Sequence, residues 1–253
     1  MVTFARKIIG MRYLSFIALV LLLSSCTFNA VEQDSKLENY FKENNLNGSF
    51  AIMDNGTGRF TVHNLKRFRD SSYLPAGTFG IVQALIGLQT GQFTEVPSFS
   101  TDSLPLLEKR GAQAWMDSLG YGARNDKERF KINTVDAFWL DNSLKITPDA
   151  QLGLIKQLYF GQLPFFKAYQ ETVKKALIQE DNTLYQLGYK TGAGTLKNGN
   201  QIGWVVGWIE ENNHAYFFVL NTESSIAQEN LPAILVNHIK NILKGQGFFE
   251  GNR

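Results

Sequence analysis

The chain of 253 residues carries 25 Lys and Arg against 23 Asp and Glu, with 44% apolar side chains and one cysteine. That balance leaves no basic excess for nucleic-acid binding, and a single cysteine allows no intramolecular disulfide and no cysteine metal site. The length is enough to bury a sizeable core, as one domain or as two interleaved lobes.

Residues 1–25 read as a processing signal. Arg6, Lys7 and Arg12 precede an apolar run from Tyr13 to Leu23, which is about half the length of a bilayer-spanning helix. The run ends in Leu23-Ser24-Ser25-Cys26, a lipobox pattern. Cys26 is therefore expected to be lipidated and to begin the mature chain; the alternative is an ordinary signal peptide that contains a cysteine. Met11 offers a second start, because Arg12 and the run after it suffice as a signal. Residues 1–25 hold three of the 25 basic side chains and no acidic one, so the remainder carries a formal charge of −1. Residues 26–36 are expected to be a tether, with the folded domain at 37–253.

Asn45-Leu46-Asn47-Gly48 signals a turn, and Ser49 to Met53 reads as a buried strand. Asp54-Asn55-Gly56-Thr57-Gly58 then turns the chain into the alternating Arg59 to His63, which predicts a hairpin. Phe79 to Leu88 has the spacing of a buried helix. From about Leu104 to Thr183 the pattern is helical with loops; Thr147 is expected as an N-cap with Pro148 at the first helical position. Strand character returns at Tyr185 and continues through Ile202–Ile209 and Ala215–Leu220, with a turn at Glu211-Asn212-Asn213. Alternation places Trp204, Val206 and Trp208 on one strand face, to be buried against helices. Leu231 to Lys244 reads as an amphipathic helix stopped by Gly245. His63, His214 and His238 have no metal-ligand spacing and are expected on the surfaces of their elements. The order of elements predicts an α+β fold: an antiparallel sheet built from both chain ends (about 37–75 and 184–253) flanked by helices, with an inserted helical lobe (about 76–183).

Tyr73-Leu74-Pro75-Ala76-Gly77-Thr78-Phe79-Gly80 resembles the active-site segment of class D β-lactamases, in which Pro-Ala leads into Ser-x-x-Lys and a buried helix. Further anchors follow in the family's order. Tyr121-Gly122 is similar to the start of its Tyr-Gly-Asn element, and Asp136-Ala137-Phe138-Trp139-Leu140 to the stretch with the tryptophan that packs near the catalytic lysine. Lys190-Thr191-Gly192, followed by Gly203 to Trp208, resembles the Lys-Thr-Gly strand and its hairpin partner. The resemblance implies a β-lactamase/transpeptidase-like fold over most of residues 45–245.

It also marks what is missing. The family's chemistry needs a hydroxyl nucleophile and a base one helical turn away. Gly77 and Gly80 stand at those two positions. Thr78 has a hydroxyl but lies one helical position off, roughly 100° from the cleft. Asp102-Ser103-Leu104-Pro105 is the nearest candidate for the Ser-x-Val motif, with Asp102 at the serine position. Ala123 replaces the asparagine, and Ile234 falls where the resemblance places a carboxylate-binding arginine. Lys190, Thr191 and Gly192 remain as ligand-binding candidates, the bland alternative being an edge strand with a solvated lysine.

The resemblance and its vacated positions imply a catalytically degenerate binding module of a bacterial envelope. It is expected to be lipid-anchored, periplasm-facing and at the outer membrane, with a peptidoglycan fragment or envelope protein as partner and no cofactor. Gly77 and Gly80 are expected to mark a floor opened by missing side chains. The competing expectation is an active β-lactamase or transpeptidase with an unrecognised nucleophile.

Overall fold

The computed structural model describes residues 31, 32, 34–96, 109–122, 129–132 and 138–253. Cys26, Asp102, Ser103, Leu104, Pro105, Ala123, Asp136 and Ala137 lie outside the described residues.

The strands are β1 (Val31–Glu32), β2 (Asn47–Asp54), β3 (Phe60–His63), β4 (Ile178–Asp181), β5 (Gln186–Thr195), β6 (Gln201–Glu211) and β7 (His214–Ser224). They form one sheet in the order β1-β3-β2-β7-β6-β5-β4, antiparallel except for the β1–β3 pair. Both chain ends thus build the sheet. The described helices are α1 (Ser35–Glu43), α2 (Leu65–Asp70), α3 (Gly80–Gln89), α4 (Lys109–Leu119), α5 (Pro148–Tyr159), α6 (Lys167–Leu177) and α7 (Leu231–Gly245), with a 3₁₀ turn at Ala76–Phe79.

Strand alternation sorts the sheet into two buried faces. Trp204, Val206, Trp208, Phe217 and Val219 point into the larger core, shared with α3 and α5. Val205, Ile209, Phe218 and Leu220 point the other way, onto α1 and α7. In α1, Leu37 and Phe41 form an i,i+4 apolar stripe, as do Leu235, Ile239 and Leu243 in α7. Fully burying each such side chain contributes roughly 1.5–3 kcal/mol. The indole of Trp208 lies over Gly188, where an added Cβ would stand 2.2 Å from Cζ2. A glycine there admits the large ring.

The ends of the helices follow local chemistry. Thr147 caps α5 by accepting a hydrogen bond from the Ala150 amide at 3.1 Å, with Pro148 directly after it. At the end of α7, Gly245 is the last helical residue and not the stop. Gly247 takes the left-handed conformation (φ +85°), its amide bonding the Lys244 carbonyl and that of Phe248 the Leu243 carbonyl. Those two bonds make a Schellman motif, displaced two residues from the expected glycine.

Two boundaries also differ from expectation. The folded body begins before residue 37, because Val31–Glu32 pairs with β3 and Asp34 caps α1 through the Lys36 amide. Strand β4 lies inside the stretch expected to be helices and loops. It pairs at the edge of β5, where Ile178, Glu180 and Asp181 face Gly188, Leu187 and Gln186.

The β2–β3 turn is held by Asp54, whose carboxylate accepts from the Gly56 and Thr57 amides, the Thr57 hydroxyl and His214 Nε2. Burial pushes this carboxyl up, but the bonds from His214 and Thr57 outweigh it and bring the pKa from 3.8 to about 2. A depressed folded pKa means that this contribution is complete above about pH 4 and is lost as the pH falls through about 2. Asp54→Asn is expected to lower stability by about 1–2 kcal/mol at pH 7 and to have a much smaller effect near pH 2. Urea melts at both pH values check this, and equal losses at the two would refute it.

Candidate functional site

The candidate site is the 3₁₀ turn and the strand laid against it. Its approach is fixed by backbone. Tyr73 and Ile146 exchange two amide–carbonyl bonds (3.0 and 2.8 Å), and the Trp204 indole donates to the Leu74 carbonyl at 2.9 Å. The Ala76 amide bonds the Trp139 carbonyl at 3.2 Å. Ala76 has φ +48°, a left-handed conformation that strains a residue with a Cβ. The turn is therefore strained at Ala76.

The side chains after it point into the core. The Thr78 hydroxyl donates to the Pro75 carbonyl at 2.6 Å and accepts from Gln151 Nε2 at 2.7 Å, and Thr78 is 0% exposed. That hydroxyl is bonded on both sides and shielded from solvent, so it has no line of attack. Phe79 stacks on Trp139 and meets Phe138 and Tyr121 edge-on or tilted. Gly77 and Gly80 are themselves buried, and so are all residues of α3 through Leu88. The two vacated positions are covered and do not form an open floor.

Strand β5 closes against this turn. Lys190 and Gly192 lie on the β5 face that meets it. A Cβ added to Gly192 would stand 2.7 Å from the Thr78 amide nitrogen and 2.9 Å from that of Gly77. Only a residue without a side chain allows backbone to approach backbone so closely. Lys190 is 4% exposed and is not a solvated edge lysine. Thr191 is placed differently. It pairs with Val205, and its neighbour Ala193 packs with the opposite core, so alternation turns Thr191 away from the turn. The structure thus brings Gly192 to Gly77, sets Lys190 on the same strand face and leaves Thr191 on the other. Ile234 is half-buried on the first turn of α7.

The three histidines are structural. His63 stacks on Phe41, His214 bonds Asp54, and His238 bonds the Tyr40 hydroxyl at 2.9 Å. Burial lowers His63 and His238 below the usual imidazole range. Among the described residues there is no cluster of His, Cys, Asp or Glu that could hold a metal ion.

Three further residues belong to the site's support, and two of them, Gln151 and Arg67, escaped sequence reasoning. Gln151 braces Thr78 from α5. Tyr121, 5% exposed, directs its hydroxyl at the same pair, and burial pushes its phenol far up. Arg67 lies over the Tyr73 ring at 4.1 Å and bonds Asn221 and Glu223. Gln151 left one readable signal, an amide on the apolar stripe of Leu152, Ile155 and Leu158.

Comparison with known proteins adds the following. The family model described as the penicillin binding protein transpeptidase domain matches residues 106–239. β-Lactamase OXA-5 of Pseudomonas aeruginosa is 28% identical over 83% of this chain and 88% of its own length. The probable β-lactamase YbxI of Bacillus subtilis is 29% identical over 75% of this chain and 78% of its own. The crystal structure of the class D β-lactamase YbXI from Nostoc superposes with a TM-score of 0.69 at 27% identity, covering 83% of this chain and 98% of that one.

Proposed function

The chain belongs to the penicillin-binding-protein transpeptidase family and has class D β-lactamases as relatives; from that premise we propose that it is a lipid-anchored, catalytically silent binding module of the cell envelope. The observation that carries this reading is the chemistry of the turn. Gly77 and Gly80 offer neither nucleophile nor base, and the one nearby hydroxyl, on Thr78, is bonded and buried. Beside the turn the site keeps the amine of Lys190, 4% exposed, and Gly192 against the Gly77 amide, so a ligand reaches them only where the covered turn opens. A carboxylate-bearing peptidoglycan fragment fits such a set, and an envelope protein is the other partner class. Cys26 supplies the anchor, at the periplasmic face of the outer membrane.

The names of the relatives favour a second reading, an active β-lactamase or acyltransferase with a different nucleophile. Incubating the full-length chain with a fluorescent penicillin, followed by a denaturing gel, separates the two. We expect no labelled band, together with a saturable rise in melting temperature on adding peptidoglycan fragments that is lost in Lys190→Ala. A labelled band would establish acylation and end the binding-module reading. Neither band nor shift would transfer the role to a protein partner. Metabolic labelling with a fatty acid tests the anchor, and Cys26→Ser is expected to abolish both label and membrane association.

A further inference from the structure

Behind the 3₁₀ turn lies a second concavity, lined by none of Gly77, Gly80, Lys190 and Gly192. It is a cavity of about 750 Å³ between the segment following α2, the C-terminal end of α4 and the first turns of α5. Arg69 and Lys145 both line it. Neither makes an ion pair or hydrogen bond among the described residues. Asp70 shares the lining, while Asp149, exposed on the first turn of α5, lies outside it.

The wall on α5 is unusual for a helix. Gly153 lies in its middle and lines the cavity, yet a Cβ placed there would meet nothing within 4 Å. Glycine is the poorest helix former after proline, and no packing neighbour requires it here. Its effect is to keep the wall open. Tyr121 also lines the cavity. Two unpaired cations, one carboxylate and an open wall together call for a ligand that carries both charges.

We propose that this cavity binds a short zwitterionic peptide, its carboxylate held by Arg69 and Lys145 and its ammonium by Asp70. A dianion such as phosphate fits less well, because the Asp70 carboxylate repels it. The site is separate from the vacated turn and does not depend on the reading given for it.

Trialanine serves as the probe, titrated into the ¹⁵N-labelled full-length chain while the Gly153 and Gly122 amide signals are followed. We expect saturable shifts at both, at least tenfold weaker binding of the C-terminal amide of trialanine, and little effect of inorganic phosphate. The double variant Arg69→Gln/Lys145→Gln is expected to weaken binding at least tenfold with an unchanged melting temperature. Gly153→Leu fills the wall and is expected to abolish binding while melting no lower than the parent chain. Absence of saturation would overturn the proposal, and so would equal binding of the amide. Phosphate binding as tightly as trialanine would reduce the site to an adventitious anion patch. Binding retained in Gly153→Leu would place the peptide elsewhere.

Discussion

Replacing Arg67 by methionine is expected to destabilise the protein by about 3–5 kcal/mol, the loss typical of breaking a buried ion pair from one side. The guanidinium is 8% exposed and does three things at once. Its Nε donates to Asn221 Oδ1 at 3.0 Å, its Nη1 pairs with Glu223 at 3.4 Å, and its plane covers the Tyr73 ring. Methionine replaces the volume and none of these interactions. Asn221, fully buried, would lose the donor to its Oδ1, and Glu223 would keep only Asn198 and Asn200. Burial pushes the Glu223 carboxyl up, but the bonds from Asn200, Asn198 and Arg67 outweigh it and hold it below the usual range. That part of the stability is present above the ordinary carboxylate pKa of 4.5 and fades as the pH falls below it. A melting temperature lower by roughly 10 °C at pH 7 is the result to look for. A loss of less than about 3 °C would mean that the network contributes little. Because Tyr73, under the guanidinium, is bonded to Ile146 directly before Leu74-Pro75-Ala76, the same variant should also loosen the turn.

The sequence reveals most about elements whose signal is local. The Thr147-Pro148 cap, the β2–β3 hairpin and the split of Trp204, Val206 and Trp208 from Val205 and Ile209 all follow from residue type and period, and all are found. The turn at Asn212 and Asn213 is equally local, since both residues take positive φ (50° and 62°), as a two-residue β-turn of this hand requires. Features that depend on a distant partner were not legible. Strand β4 exists because the edge of β5 receives it, and its four residues Ile178–Asp181 carry no period of their own. The stop of α7 moved from Gly245 to Gly247 because Phe248 packs back onto the second core. At the site, the sequence grouped Lys190, Thr191 and Gly192 with Gly77 and Gly80, and the structure lays Gly192 against Gly77. The sequence did not reveal that Gly192 presses backbone against backbone, that Lys190 is buried, or that Thr191 faces away. Each of those depends on strand register and on how deeply β5 is covered, and neither is written in a tripeptide.

Restoring the missing groups is expected to harm the fold before it helps the chemistry. Gly80 opens α3, where every residue from Gly80 to Leu88 is buried. A lysine there must either bring its charge into the core or deprotonate, and an uncompensated buried charge costs about 3–5 kcal/mol. Gly80→Met has a similar length without the charge and should destabilise less, so the difference between the two variants isolates the charge from the size. In the double variant Gly77→Ser/Gly80→Lys, the serine would enter a buried turn whose neighbouring hydroxyl, on Thr78, is already committed to Pro75 and Gln151. The expected result is a chain that melts well below the parent and takes no fluorescent penicillin on a denaturing gel. A labelled band from the folded double variant would show that the covered turn still opens to substrate and that two residues alone separate this chain from catalysis.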